Sequence, residues 1–125
     1  MSASQPNQTL LVVEDEFFIR MSAIATLEDA GYVVLEAANS ADALDVLLRH
    51  REITILLTDV TMPGCMDGLA LVARAQRDYP AIRSIVVSAN ISADQAIHAG
   101  ALGFVAKPYL GRTIVQAVRD TILRH

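Results

Sequence analysis

Asp59 follows the apolar run Ile55-Leu56-Leu57-Thr58 and precedes Val60-Thr61-Met62-Pro63-Gly64. A run that is apolar on both faces reads as a buried parallel strand. A carboxylate at the end of such a strand lies in the crevice where open α/β sheets bind ligands. A second run, Leu10-Leu11-Val12-Val13, leads straight into Glu14-Asp15-Glu16. Three consecutive acids repel one another unless positive charge is supplied. Ile85-Val86-Val87 ends at Ser88-Ala89, and Phe104-Val105-Ala106 ends at Lys107-Pro108. Four strands thus deliver an acidic cluster, a lone aspartate, a hydroxyl and an ammonium to one edge of a parallel sheet. Glu14 and Asp15 are suited to anchor Mg²⁺, which takes one or two carboxylates together with waters and phosphate oxygens.

The elements that carry these groups alternate strand and helix five times, which predicts a parallel sheet covered on both faces. The first strand spans about Thr9–Val13, and a helix from about Glu16 to Ala30 stops at Gly31. Val33–Glu36 is the second strand. Ser40 serves as N-cap of the second helix, which turns Leu44, Leu47 and Leu48 inward and ends near His50. Thr54–Thr58 forms the third strand, and Gly68–Asp78 forms a helix with Leu69, Val72 and Ala73 at helical spacing. Ser84–Val87, a short helix Ala93–Ala99 ending at Gly100, strand Gly103–Ala106 and a helix from about Arg112 to Leu123 complete the pattern. The last helix turns Ile114, Val118 and Ile122 inward.

At 125 residues the chain reads as one domain, able to bury roughly two-thirds of its unfolded surface. The net charge of −4 and the lack of Lys/Arg clusters argue against direct nucleic-acid binding. No apolar stretch approaches the ~20 residues of a membrane span. Met1–Gln8 has neither the basic start nor the apolar centre of a signal peptide. It reads as a disordered tail on a cytoplasmic protein, leaving residues 9–125 as the domain. Cys65 is the one cysteine, so no intramolecular disulfide forms. Of its expected neighbours, Lys107 is the residue that would lower its pKa towards redox chemistry.

Taken together, these motifs resemble the receiver domain of two-component response regulators, from about Thr9 to about Leu123. The likeness rests on the Glu14-Asp15 acidic pair, Asp59-x-x-Met62-Pro63 followed by Asp67-Gly68, Ser88-Ala89, Gly100-Ala101, and Phe104 three residues before Lys107-Pro108. It implies a flavodoxin-like doubly wound sheet of five parallel strands in order 2-1-3-4-5, with five helices. It also implies a single-domain phosphoprotein that accepts a phosphoryl group on Asp59 from a histidine kinase or histidine phosphotransfer protein. On this reading the chain is no conventional enzyme, although it catalyses its own phosphorylation and dephosphorylation.

The resemblance assigns the remaining roles residue by residue. Asp15 and Asp59 bind Mg²⁺ (or Mn²⁺) directly, Glu14 acts through a water, and the Thr61 backbone carbonyl completes the protein ligands. A carboxylate attacks an anionic phosphoryl group poorly, so it needs this cation and a fixed positive group. Lys107 supplies the latter, held by a cis bond to Pro108. Ser88 bonds a phosphoryl oxygen with the Ala89 N–H assisting, and Ser88 with Phe104 forms the switch. Plainer readings stand beside these: acids solvated at a helix N-terminus, a surface lysine, a turn-capping serine, a core phenylalanine. The apolar residues of the first helix (Phe17, Phe18, Ile19, Met21, Ile24, Leu27) exceed one stripe, which suits either a docking face for the kinase or scattered surface apolars.

Glu14 departs from the family's usual aspartate. The Asp59-to-Asp67 loop is about one residue longer than usual and the Ser88-to-Gly100 segment about three shorter. The shortened fourth helix makes a dimer through that helix unfavourable and a monomer the expected state. The chain ends with the fifth helix, which leaves no room for an output domain and makes an unknown downstream protein the receiver of the signal. The alternative is a receiver-fold binding module that works without phosphorylation. An aspartyl-phosphate hydrolase would need a second acid where Thr61 stands, and a flavodoxin would need a hydroxyl-rich loop after the first strand.

Overall fold

Strict alternation of side chains along the strands sets the layers of this chain. In the computed structural model, which describes residues 8–64 and 66–124, five strands form one sheet: β1 (Thr9–Val13), β2 (Val33–Ala37), β3 (Ile53–Asp59), β4 (Arg83–Ser88) and β5 (Gly103–Ala106). All pairings are parallel, and the order is β2-β1-β3-β4-β5. The helices between them are α1 (Phe17–Asp29), α2 (Ser40–Arg49), α3 (Gly68–Asp78), α4 (Ala93–Ala99) and α5 (Gly111–Leu123). Met1–Asn7 of the expected tail, Cys65 and His125 lie outside the described residues.

Leu10, Val12, Ile55, Leu57, Ile85 and Val87 point to one face, where α1 and α5 cover them with Ala23, Leu27, Ile114 and Val118. Leu11, Val13, Leu56 and Val86 point to the other, where Ala43, Leu47, Leu71, Val72, Ala75 and Ala96 of α2, α3 and α4 lie. Both faces are filled, so the central strands read as continuous apolar runs. Each parallel crossover returns the chain to the same end of the sheet. All five strands therefore finish on one edge.

Helix boundaries follow local chemistry, with one cap and two inner faces corrected. Asn39, not Ser40, caps α2: its side chain accepts from the Asp42 N–H at 2.8 Å. Ser40 is the first residue of the helix, buried, and its hydroxyl donates to the Met66 carbonyl at 3.0 Å. The inner face of α2 then comprises Ser40, Ala43 and Leu47, and Leu48 is 61% exposed. In α3, Asp67 caps the helix (Ala70 N–H to Oδ1, 2.9 Å), and the inner face is Gly68, Leu71, Val72 and Ala75. Ala73 faces solvent, one residue and about 100° beyond Val72. Gly31 (φ 100°) stops α1, and Gly100 (φ 113°) caps α4, the shortest helix at 7 residues. Among the described residues no helix is long and apolar enough to cross a membrane.

Candidate functional site

The first acid leaves the sheet in a fixed direction, because the Glu14 N–H continues the β1–β2 ladder to the Ala37 carbonyl (3.1 Å). The Glu14 side chain folds back into the sheet edge, and the residue is 5% exposed. Its Oε2 accepts from the Glu16 N–H at 3.1 Å and its Oε1 from Lys107 Nζ at 2.8 Å. Asp59 closes β3 at 8% exposure. Its Oδ1 accepts from the Val60 N–H at 2.7 Å, and its Oδ2 accepts from Lys107 Nζ at 3.0 Å. One ammonium thus joins two nearly buried carboxylates that arrive from different strands. Asp15 is exposed, yet carboxylate oxygens of Glu14, Asp15 and Asp59 all lie within 4.8 Å of one another.

Two buried acids sharing one ammonium are left incompletely compensated. Burial pushes the Glu14 carboxyl above its ordinary value; hydrogen bonds from Lys107 and the Glu16 N–H pull it down, and the Asp59 charge adds to the rise. Burial would lower the Lys107 ammonium. The hydrogen bonds and charges of Glu14 and Asp59 outweigh burial and hold it above the ordinary lysine value. Hard carboxylate oxygens at this spacing, still short of positive charge, form a donor set that fits Mg²⁺.

Ser88 is buried at the end of β4. Its hydroxyl accepts from the Asn90 N–H at 3.1 Å, and its carbonyl accepts from the Lys107 N–H at 3.1 Å. Lys107 and Ser88 are therefore tied through the backbone, and the Lys107–Pro108 peptide is cis. Ala89 is exposed and lines a groove with Lys107 and Pro108. Phe104 is half-buried on β5, in register with Val86, and packs against the core on the α2–α4 side. Thr61 is exposed, two residues beyond Asp59.

Three further residues belong to this site. The Gly68 N–H donates to the Val60 carbonyl at 2.9 Å, and a Cβ at Gly68 would stand 2.8 Å from the Asp59 carbonyl carbon. Only glycine lets α3 start this close to the end of β3. Its sequence signal is a glycine directly after a capping aspartate, where no positive φ is required. Arg20 bonds the Glu14 carbonyl at 2.7 Å, and its one signal is a lone cation among apolar residues of α1. Tyr109 is half-buried beside the acids, and burial raises its phenol above the ordinary tyrosine value.

The family model described as Response regulator receiver domain matches residues 10–119. Sensor kinase CckA of Brucella abortus (strain 2308) is 32% identical over 123 residues, a match to 91% of this chain and 12% of the kinase. Sporulation initiation phosphotransferase F of Bacillus subtilis (strain 168) is 30% identical over 122 residues, covering 95% of this chain and 94% of that protein. The structure of the chemotaxis response regulator CheY4 of Vibrio cholerae is similar with a TM-score of 0.85 at 26% identity, covering 93% and 99% of the two chains. The chain therefore spans nearly the whole of the phosphotransferase and a small part of the sensor kinase.

Proposed function

This chain belongs to the response regulator receiver domain family, a signalling module, and from that premise we propose that Asp59 takes up a phosphoryl group from a phosphohistidine on a kinase or phosphotransfer protein. The observation that carries this reading is the Lys107 ammonium bound at once to Glu14 and Asp59, with Asp15 in reach. In the transfer, a carboxylate oxygen of Asp59 attacks phosphorus. The P–N bond of the donor breaks, and its electron pair stays with the imidazole. In the reverse sense of the signal, water attacks phosphorus, the P–O bond breaks, and the Asp59 carboxylate and inorganic phosphate are restored.

Each residue supports a part of that chemistry. Lys107 leaves Asp59 Oδ2 to pair with a phosphoryl oxygen, a fixed cation at the point where charge collects. Asp15 and Asp59 would hold Mg²⁺ (Mn²⁺ has the same preference for oxygen), with Glu14 acting through a water and the Thr61 carbonyl completing the set. Bound there, the ion cancels charge between the carboxylate and the incoming phosphoryl oxygens. Ser88 turns its hydroxyl from Asn90 to a phosphoryl oxygen, and the Ala89 N–H assists. Movement of Ser88 passes to Phe104 on the adjoining strand, and from there to a partner's surface. That coupling shifts a pre-existing equilibrium rather than building a new state.

The donor has a place to dock. Phe17 and Phe18 are 55% and 78% exposed at the start of α1. Phe18 and Ile19 continue into a groove of about 540 Å³ with Ser22, Lys107, Pro108 and Tyr109. A helix seated there would present a phosphohistidine beside Lys107. The decisive experiment is incubation with a small phosphodonor and Mg²⁺, read by intact mass. One phosphoryl group should be added, and Asp59→Asn should remove it; full labelling of that variant would overturn the assignment.

A further inference from the structure

We propose that Arg20 is a positioning residue for the acidic site, holding the β1–α1 loop so that Asp15 joins Glu14 and Asp59 around a divalent cation. The inference rests on the metal-site reading above. The Arg20 side chain is 13% exposed and has three partners at once. Nη1 donates to the Glu14 carbonyl at 2.7 Å, Nε donates to Glu36 Oε1 at 2.8 Å, and Cζ stands 5.6 Å from the centre of the Phe17 ring. A planar guanidinium that donates through two of its nitrogens and stands over an aromatic ring has little freedom left.

The Glu14 carbonyl and the Asp15 N–H belong to one rigid peptide plane. Fixing that carbonyl fixes the direction in which Asp15 departs from the sheet. The neighbouring plane is already held by the Glu14 N–H bond to Ala37. Asp15 is exposed, so the place of its carboxylate depends on the backbone beneath it. Through Glu36 the same guanidinium anchors the loop to β2, an element that contributes no acid to the cluster.

Charge and geometry make opposite predictions here. As a positive charge alone, Arg20 repels a divalent cation, and removing it would strengthen binding. As a positioning group, its removal weakens binding. The experiment is calorimetric titration of the purified full chain with Mg²⁺, and separately with Mn²⁺, for wild type, Arg20→Gln, Arg20→Lys and Glu36→Gln. Arg20→Gln should lower affinity roughly tenfold, the scale of losing a group that orients a metal ligand. Arg20→Lys keeps the charge but replaces the rigid planar fork with a flexible point charge, so it should fall between wild type and Arg20→Gln. Glu36→Gln keeps an acceptor for Nε and should stay close to wild type.

Urea unfolding of each metal-free protein separates this from a merely structural role, which moves the unfolding midpoint without changing the affinity of the folded state. Unchanged or stronger Mg²⁺ binding by folded Arg20→Gln overturns the proposal. Should that variant not fold, wild-type affinity in Arg20→Lys overturns it equally. Wild-type protein that binds no Mg²⁺ defeats the metal-site reading itself, a different failure from either.

Discussion

Gly68→Ala adds one methyl group at the tightest point behind Asp59. Its Cβ would lie 2.8 Å from the Asp59 carbonyl carbon and from the Val60 Cα, and nearer still to the Asp59 carbonyl oxygen. Non-bonded carbons rest about 3.5–4.0 Å apart, so the two carbon contacts alone require the strand end and the helix start to separate by roughly 0.7–1.2 Å. Both neighbours are backbone, and neither can swing aside as a flexible side chain would. Forcing a methyl into a filled interior costs about 1–3 kcal/mol. Straining the Gly68 N–H bond to Val60 adds about 1 kcal/mol. Because Gly68 needs no positive φ, alanine offsets about 0.4–1 kcal/mol of this by narrowing the unfolded ensemble. The net loss is about 1–3.5 kcal/mol, which for a chain of this size lowers Tm by roughly 4–15 °C. On the proposed function, a displacement near 1 Å at Asp59 should also slow phosphoryl uptake about a hundredfold. Thermal unfolding by circular dichroism and labelling by a small phosphodonor with Mg²⁺ measure the two effects. A variant with wild-type Tm and wild-type labelling would refute the idea that this close approach holds Asp59 in place.

Mg²⁺ binding to the folded arrangement alone should raise Tm, by about 2.7 kcal/mol of added stability at a hundred times its Kd; chelator-stripped protein that shows no shift in millimolar Mg²⁺ would contradict the site. The raised Glu14 carboxyl means the native state holds that proton more firmly than the unfolded chain, so stability falls as pH rises from the ordinary 4.5 through the folded value. Glu14→Gln should flatten this slope in metal-free urea titrations. Lys107 is raised above its ordinary 10.5, so its contribution is fully present below that pH and is lost as pH climbs through the folded value. Lys107→Met should therefore cost roughly 3 kcal/mol at neutral pH and recover in part as acidification protonates Glu14, whose carboxyl is raised. With α4 only 7 residues long, phosphorylated protein should remain mainly monomeric in light scattering; a reversible dimer at micromolar concentration would show that the missing turn does not matter.

Asp59, Glu14 and Lys107 are legible in the sequence because each follows an unbroken apolar run, and parallel strands can end on only one edge. Gly31 and Gly100 are equally plain as helix stops. The inner faces of α2 and α3 are less so. Asn39 and Ser40 are both good caps, and Leu44, Leu47 and Leu48 stand at helical spacing whichever of the two is chosen. What decides between them is the bond from the Ser40 hydroxyl to Met66, 26 positions away. The role of Arg20 is hidden for the same reason, since its acceptors are a backbone carbonyl and a glutamate on another strand. The close approach of Gly68 is likewise steric, and the glycine after a capping aspartate marks the position without showing the contact.

Lys107 lies 93 positions from Glu14 and 48 from Asp59 along the chain. During synthesis both acids emerge long before the ammonium that neutralises them, so the constellation is finished only when the last strand docks. That strand is four residues long and stands at the margin of the sheet with β4 as its one strand neighbour. Sub-global opening begins where such pairing is thinnest. Peeling β5 away would carry off the cation and leave β1 and β3 with their carboxylates in place. On the proposed function, competence to receive a phosphoryl group thus depends on an edge strand made after both acids, so opening of β5 alone should abolish labelling before any spectroscopic loss of the sheet.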